Sequence, residues 1–247
     1  MTRTIGILAG KGGVGKTTIA INLACMFGLL NKKITLIDFN FTTSHLAIEL
    51  GIIPKTTLNN VLRNETDLKN ALYSVFGIDI LPASLKLSEL ENIETSNLKS
   101  KIKNLLNDSE IVFLDSAPGF GREALLAMQT SDEVIFVVNP TQAAIADIMK
   151  CKQLALQLGV IPLGIVVNKY KNKKFELRPN EIANLVELPL LAVIKENEEF
   201  LKSEAARIPM VFYKTNEREE FFKLACHLTG IEYIEPSFLR KLASRFV

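Results

Sequence analysis

Near the start of the chain, Gly10-Lys11-Gly12-Gly13-Val14-Gly15-Lys16-Thr17-Thr18 restricts the fold more than any other stretch. An apolar run, Ile5 to Ala9, leads into it, and a helical pattern from Thr17 to about Asn31 leads out. Strand, glycine loop and helix in that order, with G-x-x-x-x-G-K-[ST] spacing, predict a loop that cradles phosphates. Glycines let successive backbone N–H groups converge on one anion, and the helix start adds unpaired donors and a positive dipole end. Lys16 is then the charge-assisted donor to the terminal phosphates of a nucleoside triphosphate, and the Thr17 hydroxyl a ligand of Mg²⁺. Gly10 to Thr18 together form the expected nucleotide-binding segment.

Lys11 narrows the class. It follows Gly10 directly, so the loop reads K-G-G-V-G-K-T-T with two lysines. A second lysine there competes with Lys16 for one side of the same phosphate, whereas a facing subunit offers it a separate target. On these residues the sequence resembles the deviant P-loop ATPases of the MinD/ParA family. The resemblance implies that Lys11 crosses to a partner's nucleotide in an ATP-sandwich homodimer and serves catalysis beside Lys16.

The length, 247 residues, suits one large α/β domain or two small ones, one being the simpler reading, and a net charge of +2 argues against nucleic acid as the main ligand. Cys25, Cys151 and Cys226 are far apart and never form C-x-x-C, so they read as buried, reduced thiols. No apolar run approaches membrane-spanning length, and the N-terminal residues carry no signal-peptide pattern. Short, β-branched apolar runs predict strands at Thr4–Ala9, Ile34–Asp38, Ile78–Pro82, Ile111–Asp115, Glu133–Asn139, Pro162–Asn168 and Leu190–Ile194. Helical patterns fill the gaps between most of them, including Asn97–Asn107, with short helices near Thr57–Leu62 and Asp67–Leu72. Alternation of this kind predicts an α/β, doubly wound, mostly parallel sheet with helices on both faces. Ligands of such sheets lie beyond the carboxyl ends of the strands.

Two strand ends carry acids. Asp38 closes one beside the glycine loop, within reach of a Mg²⁺ shell, and Asp115 ends Ile111-Val112-Phe113-Leu114 as a Walker-B-like aspartate. In the MinD family the first segment usually reads D-x-D, and the second acid is thought to orient the attacking water. Here that position is Asn40, which can hold a water but cannot take a proton. Hydrolysis is therefore expected to be slow. The run D-F-N-F-T-T resembles archaeal members of the family. Asp115-Ser116-Ala117-Pro118-Gly119 resembles the second switch, in which Gly119 would turn its N–H toward the γ-phosphate. His45 has no evident carboxylate partner and reads as a surface or packing residue.

Asn168 ends a later strand, and the resemblance makes its amide the reader of the adenine edge. No N-K-x-D guanine motif follows, so ATP is expected over GTP. Lys169, Lys171, Lys173 and Lys174 form a charge run that reads first as a solvated loop, with anionic lipid or nucleic acid as the alternative. Lys195 stands where relatives carry a proline flanking the nucleotide.

The sequence divides into an ATPase domain, residues 1–235, and a terminal segment, 236–247. In that segment Phe238, Leu239, Leu242, Ala243, Phe246 and Val247 fall on one half of a helical wheel, opposite Arg240, Lys241, Ser244 and Arg245. This is the composition of a helix lying in an anionic membrane surface, and it resembles the C-terminal targeting sequence of MinD proteins; the alternative is a terminal helix docked on its own sheet with its basic residues facing water. Together these readings predict an ATP- and Mg²⁺-dependent ATPase, cytoplasmic and peripheral on the inner membrane face. It would dimerise on ATP and position cell-division or other machinery through an unknown protein activator or cargo. A ParA-type partitioning ATPase on non-specific DNA is the main rival, disfavoured by the near-neutral charge and the terminal segment. A flagellum- or pilus-positioning relative would share every motif. An iron–sulfur scaffold lacks its paired cysteines, and a small-molecule kinase lacks its lid arginines.

Overall fold

The computed structural model describes residues 2–84 and 98–233. The predicted terminal helix at 236–247 and the first residue of the predicted helix at 97–107 lie outside the described residues.

One eight-stranded sheet has the order β3-β4-β2-β5-β1-β6-β7-β8. Its strands are β1 (Arg3–Leu8), β2 (Ile34–Phe39), β3 (Tyr73–Val75), β4 (Ile78–Leu81), β5 (Ile111–Ser116), β6 (Glu133–Val138), β7 (Ile161–Tyr170) and β8 (Leu190–Lys195). All pair in parallel except β3 with β4. The predicted architecture is therefore the observed one.

The sheet exceeds the sequence expectation by one strand, β3. Its signal is weak because it holds few residues and only one edge is paired. Phe76 (φ 51°) and Gly77 (φ 78°) supply two successive left-handed residues, a turn whose twist matches a two-residue hairpin. That turn returns the chain antiparallel onto β4.

Helices cover both faces, and alternate residues along each strand show why. In β5, Ile111 and Phe113 face a core shared with α1 (Lys16–Leu29) and α10 (Asn216–Thr229). Val112 and Leu114 face the opposite core, shared with α5 (Leu98–Leu105) and α6 (Arg122–Thr130). Farther along that second face, α7 (Gln142–Gln157) and α8 (Pro179–Val186) cover β6 and β7. The period of two in burial is what a sheet covered on both sides requires. Short helices α2 (Leu46–Glu49), α3 (Leu58–Leu62), α4 (Leu68–Ala71) and α9 (Glu199–Ala206) complete the chain.

Helix α1 matters most for ligand binding, because its first turn belongs to the glycine loop. It is buried from Ile19 to Phe27 without interruption. Phe27 meets Phe113 of β5 edge-to-face at 5.4 Å between ring centroids, a contact worth about 0.5–1.5 kcal/mol beyond its buried area. The start of α1 is thus fixed against the centre of the sheet. Cys25, Cys151 and Cys226 are buried and free, as the sequence suggests. Burial pushes the Cys25 and Cys151 thiols up to about 12, which removes thiolate chemistry at neutral pH.

Candidate nucleotide site

The strand order divides at β1, whose neighbours are β5 on one side and β6 on the other. The glycine loop follows the carboxyl end of β1, and Asp38, Asp115 and Asn168 stand in the last residues of β2, β5 and β7. A crevice at such a switch in strand order is where doubly wound sheets bind ligands.

Within the loop, Gly13 (φ 77°) and Gly15 (φ 92°) take left-handed backbone. Gly15 is doubly constrained, since a β-carbon there would stand 2.3 Å from Asn168 Nδ2. The loop is held from outside by β7. Asn168 Nδ2 donates to the Val14 carbonyl at 2.8 Å, and Lys169 Nζ donates to the Gly13 carbonyl at 2.8 Å. The charge pattern of the sequence assigns Lys169 to a solvated run; it is exposed there and also braces the loop. Asn168, expected at the adenine edge, is buried and reaches the loop backbone while also lining the cleft.

The two lysines of the motif differ in setting. Lys16, the first residue of α1, is 8% exposed and lines the cleft with Thr17 and Thr18. Lys11 is exposed, does not line the cleft and makes no hydrogen bond or ion pair among the described residues.

Asp38 and Asp115 are register partners on the paired strands β2 and β5, and both are buried. Burial and the neighbouring Asp115 carboxylate push Asp38 up to about 7, against hydrogen bonds from the Ser44 hydroxyl (2.6 Å) and the Asn40 N–H (2.9 Å). Burial also raises Asp115, opposed by Lys16, by the Thr17 hydroxyl that donates to its Oδ2 at 2.6 Å, and by His45. Its other oxygen, Oδ1, is buried with no hydrogen-bond partner. Two adjacent buried carboxylates and an orphaned oxygen beside a hydroxyl are a hard oxygen donor set short of positive charge, and a divalent cation such as Mg²⁺ fits it. Thr17 and Asp115 would hold the ion directly or through water, with Asp38 beside them.

The segments after these aspartates are tied to each other. Asn40 Nδ2 donates to the Thr43 carbonyl at 2.8 Å, and the Thr43 hydroxyl donates back to Asn40 Oδ1 at 3.0 Å. Both ends of the Asn40 amide are therefore engaged inside their own loop. The Thr42 hydroxyl donates to Glu123 at the start of α6, bridging the two segments. Gly119 (φ 78°) donates its N–H to the Ala9 carbonyl at 3.0 Å, so the second segment is docked on the strand that enters the glycine loop. The contacts that Glu123 and Lys169 make could not be read from sequence, because each acts on a residue far away in the chain.

The cleft above these groups has a volume of about 770 Å³. It runs from Gly12–Thr18 past Asn168 and Lys195 to Phe200, Ile208 and Pro209. That is room for a nucleotide with its polyphosphate on the loop and its base toward the apolar end. Asn22 secures this far wall by accepting the Val211 N–H at 3.0 Å while donating to the Thr18 carbonyl at 2.8 Å. Glu49 also lines the cleft; burial and then the charge of Asp115 push it up to about 7.

Known proteins share this fold. An AAA-domain family model matches residues 2–158. An uncharacterized ATP-binding protein of Methanocaldococcus jannaschii is 31% identical over 251 residues, covering 100% of this chain and 94% of its own. The septum site-determining protein MinD of Thermotoga maritima is 29% identical, with 85% of this chain and 81% of that protein covered. Among solved structures, the cell division ATPase MinD of Pyrococcus furiosus superposes with a TM-score of 0.88 at 30% identity, covering 94% of this chain and 100% of its own. MinD of Pyrococcus horikoshii, complexed with Mg-ADP, gives 0.88 at 30% identity over 95% of this chain and 100% of its own.

Proposed function

We infer the activity of this chain from one premise: it belongs to the MinD/ParA family of P-loop ATPases. It is a MinD-type ATPase that binds ATP in the cleft and hydrolyses it slowly. On binding ATP it forms a homodimer that associates with an anionic membrane surface, where it recruits or positions cell-division machinery through a protein partner.

The observation that carries this reading is the contrast between the two lysines. Lys16 is buried at the start of α1 and lines the cleft, while Lys11 is exposed on the same loop and does not line it. A lysine without a partner among the described residues of its own subunit supports a role toward the nucleotide of a second copy. When bound, Mg²⁺ would neutralise charge on the phosphates and on the Asp38–Asp115 pair. Loop amides from Gly12 to Thr18 receive the phosphates, Lys16 meets their negative charge, and Thr17 with Asp115 keeps the hydroxyl oriented. Asn40 would position the attacking water once it leaves Thr43. It supplies no carboxylate to receive the proton, which supports slow turnover.

Membrane attachment rests on the apolar face of the terminal segment, Phe238, Leu239, Leu242 and Phe246. A single short amphipathic helix binds weakly, because folding about ten residues offsets much of the gain from apolar burial. Two copies joined by ATP gain about 10²–10⁴ in avidity. Nucleotide state then sets membrane residence. Cosedimentation with phosphatidylglycerol-containing vesicles, with and without Mg·ATP, tests the whole chain against a truncation after Pro236. The full chain should pellet only with ATP and the truncated chain should stay in solution. Equal pelleting of both would defeat the tail mechanism, and retention on duplex DNA instead would favour the partitioning rival.

A further inference from the structure

The loop after β7 carries a charge run that the nucleotide site uses only in part. We propose that this loop is a second lipid contact, with Phe175 entering the interfacial layer of an anionic bilayer and Lys173 and Lys174 lying against its headgroups. The proposal rests on the membrane-associating reading above, but it concerns different residues from the terminal segment.

Three features distinguish the loop from a solvated turn. Phe175 is 85% exposed, more than any other described phenylalanine, and has no ring partner among the described residues. It is also presented by a fixed backbone. The Glu176 carboxylate accepts the N–H groups of Lys171 (3.0 Å) and Lys173 (2.9 Å), and the Glu176 N–H returns to the Lys173 carbonyl at 3.0 Å. Asn172 sits at φ 58° with its side chain accepting from the Tyr170 hydroxyl at 2.9 Å. Leu177 then packs into the core under α7 and α8, which anchors the far end of the turn. An aromatic ring displayed on so braced a loop has already lost the entropy that a disordered segment would lose on binding.

Charge selects the surface. Between Lys169 and Arg178 there are four lysines and one arginine against Glu176 alone, in a chain whose net charge is only +2. Lys171 is taken by Glu196 at 2.6 Å, whereas Lys173 and Lys174 are exposed and have no ion pair among the described residues. Basic side chains flanking a projecting aromatic match an anionic interface, where rings sit at headgroup depth and each basic residue near the surface adds about fivefold in affinity. Duplex DNA would engage the lysines but has no use for an isolated phenylalanine. The loop is also wired to the nucleotide, since Lys169 and Asn168 at its root hold the Gly13 and Val14 carbonyls.

The chain contains no tryptophan, so F175W introduces a single fluorescent reporter. In the full chain with Mg·ATP, vesicles of phosphatidylglycerol and phosphatidylcholine should shift its emission to the blue, and brominated lipid should quench it. Pure phosphatidylcholine vesicles should do neither. K173E/K174E should weaken affinity for the anionic vesicles at least tenfold while ADP affinity in solution stays as it was. If F175W stays unquenched while the protein pellets, and K173E/K174E pellets like the parent, the loop contact is wrong and the tail reading survives. Absence of any vesicle binding by the full chain overturns both. Duplex DNA binding that is lost in K173E/K174E, without a vesicle response of F175W, assigns the loop to nucleic acid instead.

Discussion

Asp38 and Asp115 occupy the same register position on neighbouring strands, so two buried carboxylates stand side by side beneath the nucleotide cleft. Parallel pairing of β2 with β5 dictates this, since both strands end on their aspartate within one residue. The pair lowers stability unless positive charge reaches it. Asp38 is raised from 3.8 to about 7, so its folded form holds a proton that the unfolded form releases. The stability this contributes is complete below pH 3.8 and is lost as pH rises toward about 7. Without divalent cation and nucleotide, the melting temperature should therefore fall between pH 5 and 8. D38N should reduce that slope, Glu49 and Asp115 supplying what remains, and Mg·ADP should restore stability to the parent at pH 8. Thermal melts of parent and variant across this range check it; an unchanged slope in D38N would refute the assignment.

Gly15 and Asn168 make the glycine loop intolerant of a single methyl group. G15A meets both a left-handed backbone at φ 92° and the Asn168 amide at 2.3 Å from its new carbon. The backbone strain alone is about 1–2 kcal/mol, and the clash displaces the donor that holds the Val14 carbonyl. G15A should lower the melting temperature and reduce binding of a fluorescent ADP analogue at least a hundredfold. G15A/N168A should recover part of the stability, because the clash is gone, but little of the affinity, because the loop is unbraced. Full recovery in the double variant would mean that φ at Gly15 is not limiting.

Much of this site is written in local sequence, and the reason is geometrical. A phosphate loop is a contiguous strand, turn and helix, so Gly10 to Thr18 can be read as one word. Asp38 and Asp115 are legible because each ends an apolar strand. What escapes is held by contacts across the chain. Lys169 meets Gly13 from 156 residues away and Glu123 meets Thr42 from 81, with no periodicity to announce either. Strand β3 escapes for a different reason: its signal lies in the Phe76-Gly77 turn, where a phenylalanine takes a backbone normally left to glycine or asparagine.

Lys11 and Lys16 should separate by assay. K16A removes the charge buried beside the loop and should abolish nucleotide binding by the single chain. K11A leaves the cleft lining intact, so Mg·ADP affinity should change by less than threefold. Its defect should appear only in assembly: light scattering with saturating Mg·ATP should give a dimer for the parent and a monomer for K11A. A parent that stays monomeric under those conditions, with turnover blocked, would contradict the two-lysine reading.

In the proposed function, Asn40 is the residue on which the rate depends. Its amide is closed on Thr43 through two hydrogen bonds, while its N–H caps Asp38. Opening that closure must precede any hold on the attacking water, which adds a step that a carboxylate here would avoid. In N40D the donor facing the Thr43 carbonyl becomes an acceptor, so the closure is repelled and the segment is released toward the cleft. The new carboxylate can also receive a proton, an effect worth about 10²–10⁴ where a general base is well placed. Since phosphoryl transfer draws most of its rate from positioning and electrostatics, the gain should be smaller, on the order of tenfold, in single-turnover phosphate release at saturating Mg·ATP. Faster turnover shortens the life of the ATP-bound dimer, so N40D should also leave vesicles sooner than the parent. N40A separates the two contributions, because it frees the segment but offers the water no partner; it should turn over more slowly than the parent. Equal rates for parent, N40A and N40D would remove Asn40 from the reaction and place the limit on opening of the Thr42–Glu123 bridge.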